Sequence, residues 1–156
     1  MNRLFLILLI LISSNCYGSD GIIIKQGDSF CLPGTEFKIS GITNNSSIDD
    51  VIALKGKPNS IKQWEDSRYK TFIYDDMKID ISIHHVLYLE TDSEKNKTTS
   101  GIKPSMGLTE VCKILGIKDT ASKSEYQFVN CDEEIFLVLK FENNVLKSIG
   151  MGIDAP

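Results

Sequence analysis

The sequence predicts an α+β fold. Two tandem helix–β-meander repeats would form one two-layer domain, with helices packed on one face of an antiparallel sheet. Three observations predict it. Ser40-Gly41-Ile42 returns sixty residues later as Ser100-Gly101-Ile102. Behind these copies, Ile48, Asp50, Val51, Leu54 and Gly56 stand at the same offset as Leu108, Glu110, Val111, Ile114 and Gly116. Three β-like runs then follow each helical stretch. Self-similarity at a fixed period marks one structural unit used more than once. A helix of about eight residues is marginal alone, so each must bury its apolar stripe on the meander behind it.

Residues 1–18 read as a secretory signal peptide. Asn2-Arg3 is a short basic start, residues 4–12 are an unbroken apolar run, and 13–18 turn small and polar. The run falls short of the roughly 20 residues a membrane span needs. Gly18 and Cys16 are the small residues expected ahead of a cleavage point after Gly18. A rival reading makes Cys16 a lipidated N-terminal cysteine, although Asn15 and Ser13 depart from that pattern. Residues 19–39 are a lead-in, with short strands at 22–24 and 37–39 and turns at Gly27-Asp28 and Pro33-Gly34.

The first repeat occupies 40–91. Ser46 or Ser47 caps its helix, and Asp49-Asp50 place negative charge in the first turn. Ile48, Val51, Ile52 and Leu54 form the apolar stripe. Gly56 ends the helix and Pro58 keeps it ended. Strands are predicted at 68–74, 78–84 and 86–90, with Asp75-Asp76 as a turn. Ile79, Ile81 and Ile83 alternate with Lys78, Asp80 and Ser82, the pattern of a half-buried strand. The third strand is ambiguous: Val86/Tyr88 and Leu87/Leu89 are equally good inner pairs. Residues 92–99 are polar throughout and read as an exposed linker.

The second repeat occupies 100–156. Its helix spans 108–115 between Gly107 and Gly116, and its strands span 125–130, 134–141 and 145–151. Asn143-Asn144 makes the last hairpin turn. Ile135, Leu137 and Leu139 are its inward set.

Cleavage would leave Cys31, Cys112 and Cys131, and export permits disulfides. Cys112 on the second helix and Cys131 at the following strand's end correspond to Ile52 and Asp75 in the first repeat. The pair appears together, so the expected bridge is Cys112–Cys131, with Cys31 left over; two separate thiols are the alternative. No cysteine or histidine spacing suggests zinc, and no metal or cofactor is expected.

Other classes of function find little support. The net charge is −4, with no basic cluster to suit nucleic acid. Neither a phosphate loop nor a G-x-S-x-G nucleophile motif occurs, so an enzyme is not expected. His84 and His85 are adjacent and would point to opposite faces of a strand. Asn44, Asn45 and Asn96 head N-x-Ser/Thr triplets, which are glycosylation acceptors only in a eukaryotic secretory route. The candidate binding surface is the sheet face opposite the helices. Lys78, Asp80, Ser82 and His84 line it in one repeat, and Phe136, Val138 and Lys140 in the other. Phe136 and Val138 are apolar where water is expected, and Trp64, Tyr74 and Tyr88 add aromatics, which anchor many interfaces. The competing reading is that these side chains cover one another at the repeat junction.

The stretch Met106-Gly107-Leu108-Thr109-Glu110-Val111-Cys112-Lys113-Ile114-Leu115-Gly116, followed by a meander, resembles a known domain. β-Lactamase-inhibitor-type proteins and the outer-membrane assembly lipoproteins of the BamE/SmpA group share it. The likeness covers roughly residues 40–152. The first copy departs from the pattern at Ser46-Ser47 and Lys55. Tandem copies, export and a helix-to-strand cysteine pair are closer to the inhibitor-type arrangement. The resemblance implies an exported, non-enzymatic protein-binding module, an inhibitor or immunity protein. It would neutralise a secreted toxin or hydrolase in the periplasm by docking its sheet face on the target. The alternative it implies is an envelope assembly or scaffold factor, including a lipid-anchored one. Its motif residues build the fold, so they carry architecture rather than function.

Overall fold

The computed structural model describes residues 24–26, 29–117, 124–131 and 134–153. The signal peptide, the Gly18 cleavage point and Cys16 lie outside these residues. The chain order is β1 (Ile24–Gln26), β2 (Ser29–Leu32), α1 (Ile48–Lys55), β3 (Ser60–Gln63), β4 (Tyr69–Ile73), β5 (Lys78–Ser82) and β6 (Val86–Thr91). Then come α2 (Leu108–Leu115), β7 (Glu125–Asn130), β8 (Ile135–Glu142) and β9 (Val145–Ile153). All nine strands join one sheet in the order β1-β2-β7-β8-β9-β6-β5-β4-β3.

This corrects the predicted fold class. The chain does not form a helix-covered two-layer domain of tandem units on an antiparallel sheet. β9 pairs with β6, so the two meanders run together as one ladder. β2 pairs with β7 in parallel, which makes the sheet mixed. Nine strands about 4.8 Å apart span close to 40 Å, and two short helices about 10 Å across cannot layer over that width. β2 and β3 fall outside the predicted strands, and the strand expected at 37–39 is only an isolated bridge between Ile39 and Ile42.

The core is organised by register. Ile61, Phe72, Ile79, Leu89, Met151, Leu137 and Phe128 are successive cross-strand partners from β3 to β7. All but Ile61 are buried. Val51 of α1 and Leu108, Val111, Cys112 and Leu115 of α2 enter the same cluster. Alternation puts every second residue of each strand on this inner side. Ile79, Ile81, Ile135, Leu137 and Leu139 are buried as expected, but Ile83 lies beyond β5 in a turn and is exposed.

A bulge settles the ambiguous strand. Asp80 faces Tyr88 while Ile81 faces Val86, so Leu87 is the extra residue. The added residue resets the alternation. Val86 and Leu89 both turn inward, and Tyr88 turns outward.

The glycine echo has a backbone cause. Gly41 and Gly101 share φ of +90°, and Gly56 and Gly116 lie at +78° and +76°, values that side-chain-bearing residues rarely adopt. α1 opens with a capping box in which Ser47 and Asp50 satisfy each other's backbone N–H. α2 has no side-chain cap; its Leu108 N–H donates instead to Asn144 O at 2.8 Å.

The stretch expected as an exposed linker is partly buried. Asn96 and Thr98 are both 2% exposed. Asn96 Nδ2 donates to Asp76 O and Thr91 Oγ1, and its Oδ1 accepts from Ser40. An asparagine so engaged is no glycan acceptor in the folded chain.

The predicted Cys112–Cys131 bridge is also corrected. The disulfide is Cys31–Cys131, with Cα atoms 5.1 Å apart. β2 lies alongside β7, and Cys131 N–H donates to Leu32 O at 3.1 Å, which brings Cys31 within reach. Cys112 is buried on the inner side of α2.

The C-terminal end of α1 is fastened by Lys55 Nζ to Asp76 Oδ2 at 2.7 Å and by Tyr74 Oη donating to Gly56 O at 3.1 Å. Burial pushes the Asp76 carboxyl up, but the Lys55 ammonium, together with hydrogen bonds from Asn96 and the backbone, holds the group below its ordinary value. A depressed folded value adds stability above the unfolded pKa of about 3.9, lost as pH falls through the folded value. Asp76→Asn should therefore lower the urea midpoint at pH 7 and leave it near wild type in strong acid. An equal gap at both pH values would show that the ion pair contributes nothing.

Candidate functional site: the outer face of the sheet

The face away from the helices carries its own cross-strand row. Lys62, Thr71, Asp80, Tyr88, Gly152, Phe136 and Val129 are successive partners from β3 to β7. A second row places Glu90, Gly150 and Val138 side by side on β6, β9 and β8. The glycines fall at the centre. A Cβ at Gly152 would stand 2.8 Å from both Phe136 Cζ and Tyr88 Cδ2, and one at Gly150 would strike Tyr88 Oη. Only glycine leaves the room for these two rings to lie across β9. Their centroids are 6.2 Å apart, within aromatic contact range.

Polar groups surround this aromatic centre. Lys140 Nζ and Ser148 Oγ both donate to Glu90 Oε1 at 3.1 Å, bridging β8, β9 and β6. On the other side, Trp64 Nε1 donates to Thr71 Oγ1 at 2.9 Å, and Thr71 Oγ1 donates to Asp80 Oδ1 at 2.6 Å. Desolvation by burial, reinforced by the Glu90 carboxylate, raises the Tyr88 phenol above its ordinary value. The Glu90 hydrogen bond and charge raise the Lys140 ammonium. Both groups hold their protons at neutral pH: Tyr88 is a neutral donor and Lys140 a cation.

Of the predicted site residues, Asp80, Tyr88, Phe136, Val138 and Lys140 share this face, with Trp64 joined through Thr71. Val138 is largely covered, at 8% exposure. Tyr74 does not belong there: it sits in the core cluster, and its hydroxyl is spent on Gly56 O. Ser82 is buried and shapes the β5–β6 turn, accepting from His84 and His85 N–H and donating to His85 O. His84 is exposed in that turn, off the strand. The reading missed Thr71, Glu90, Val129, Gly150 and Gly152. The Gly150-Met151-Gly152 spacing inside a strand is the available signal, since glycines within strands often mark a close approach.

A cleft of about 310 Å³ opens beside this face, between the β4–β5 turn and β6 and β9. Of its three carboxylates, Asp75, Glu90 and Asp92, Asp75 accepts from Asn59 and Glu90 from Lys140 and Ser148. Among the described residues no group of three or more His, Cys, Asp or Glu side chains is placed to hold a metal ion.

No family profile and no curated protein matches the chain. Among solved structures it is similar to an extracellular protein containing an SCP domain from Bacillus anthracis strain Ames, at TM-score 0.53 and 14% identity. The match covers 84% of this chain and 50% of the other, so the chain spans about half the length of that protein. Identity this low shows likeness of fold alone. The Cys31–Cys131 disulfide fits an oxidising compartment, in agreement with export. No described helix is long and apolar enough to cross a membrane.

Proposed function

We propose that the protein is an exported, non-enzymatic binding module whose outer sheet face docks on a protein target. The target we favour is a secreted toxin or hydrolase in the periplasm, which docking neutralises. The observation that carries this reading is the Tyr88–Phe136 pair laid over Gly150 and Gly152. Aromatics on the solvent side of a sheet, ringed by Asp80, Glu90 and Lys140, give the apolar centre and polar rim of a protein interface. The disulfide and the signal-like start support delivery outside the cytosol.

The test uses Phe136→Asp. Wild-type protein should capture one exported hydrolase or toxin from periplasmic extract and suppress its activity, and the variant should lose both effects while keeping its unfolding midpoint. Equal capture and suppression by a folded variant would overturn the reading.

A further inference from the structure

β3 ends the sheet on one side. All four of its residues are exposed, and its outer edge meets no described strand. Trp64 N–H bonds to Tyr69 O across the β3–β4 pair. In an antiparallel ladder the bonded positions alternate. Lys62 and Ser60 therefore share Trp64's orientation, and the backbone N–H and C=O of Ile61 and Gln63 point outward. The side chains continue that edge in both directions. Ile61, at 55% exposure, extends the inner row, and Trp64, at 42%, stands on the outer side.

Natural sheets protect such edges with lysines, prolines or bulges. This edge has one central lysine, Lys62, and Pro58 just before the strand. That protection is selective, because it sets a charge rule. Residues 57–70 hold Lys57, Lys62, Arg68 and Lys70 against Glu65 and Asp66, on a chain whose net charge is −4. Arg68 is spent on Asp66. Among the described residues Lys57, Lys62 and Lys70 have no ion-pair partner. A second copy would bring another Lys62 to the seam, with Lys57 and Lys70 close behind, and like charges on paired strands repel. An extended segment carrying carboxylates meets them with the opposite sign.

We infer that β3 is a strand-addition site for an extended, acidic segment of a partner protein, which pairs with the outward backbone of Ile61 and Gln63 while its carboxylates meet Lys62 on that edge. Strand addition draws affinity from main-chain hydrogen bonds and specificity from alternate side chains. β4 and β5 separate this edge from the Tyr88–Phe136 centre, and strand addition does not require that centre to bind anything.

Trp64 is the only tryptophan in the chain, so its fluorescence reports on this edge. The probes are a short peptide of alternating valine and glutamate, and the same peptide with lysine for glutamate. The glutamate peptide should shift Trp64 emission saturably, and high salt should weaken the effect through screening. Lys62→Glu should weaken binding about tenfold, the factor corresponding to about 1.4 kcal/mol. Ile61→Pro removes the outward N–H and should abolish binding, while edge strands tolerate proline on that side. Phe136→Asp should bind the peptide as wild type does, which separates this site from the outer face. Three results would overturn the inference: no emission change with the glutamate peptide, equal binding of the lysine peptide, or self-association in sedimentation that Ile61→Pro abolishes.

Discussion

Replacing Cys31 or Cys131 with serine is expected to lower the unfolding free energy by about 4.7 kcal/mol. That is the chain-entropy value for a closed loop of about 100 residues, and the two cysteines are 100 residues apart in sequence. The size of the effect follows from what the bond restrains. β2 is paired in register with β7 at only two positions, Cys31 with Val129 and Leu32 with Asn130, and β1 attaches to the sheet only through β2. In the unfolded chain the disulfide ties this N-terminal hairpin to the far end of the sequence. Without it, the hairpin must find its place against the full loop-closure entropy. Urea titration of the oxidised protein, the reduced protein and each serine variant measures the change. The three altered forms should lose similar stability. A loss below about 1 kcal/mol would show that the hairpin's own packing, and not the covalent link, holds β2 on β7. Thiol counting gives an independent check: in denaturant, a chain beginning after Gly18 should show one reactive thiol before reduction.

The sequence made some of this legible and hid the rest for physical reasons. Both helices and the six longest strands carry their own signals: apolar spacing, a serine cap with Asp50, strand alternation, and glycines at positive φ. These are local, so a linear reading finds them. Which strands become neighbours is not local. The β6–β9 seam and the parallel β2–β7 pair join distant segments, and nothing in the spacing of apolar residues announces them. That gap produced the wrong layer architecture and the wrong cysteine partner together, because Cys31 meets Cys131 only once β2 is a strand beside β7. β3 was missed because Ser60-Ile61-Lys62-Gln63 is an exposed edge with no buried alternation to read. On the outer face, alternation alone puts Phe136 and Lys140 on the same side of β8. Tyr88 needed the Leu87 bulge, which shifts register by one residue and reverses the face of everything beyond it. Tyr74 was misplaced because an aromatic with a hydroxyl fits either face until its partner, Gly56 O, is known.

Leu89→Ala should cost about 3–5 kcal/mol, the upper part of the range for leucine truncation in a core. Leu89 is fully buried and sits mid-row between Ile79 of β5 and Met151 of β9. β6 is hydrogen-bonded on both sides, so neither neighbour can move inward to fill the space, and the cavity term is kept nearly whole. Ile61 stands at the end of the same row with 55% of its surface exposed. Ile61→Ala should therefore change stability by no more than about 0.5 kcal/mol. Equilibrium urea unfolding of both variants gives the gradient along one row of side chains. The contrast tests the architecture directly, because Leu89 lies at the seam where β6 meets β9. In one continuous sheet that seam is the centre of the core, and truncation there is among the costliest changes available. If Leu89→Ala cost no more than Ile61→Ala, the seam would be a peripheral contact between separately stable halves, and the single-sheet description would fail.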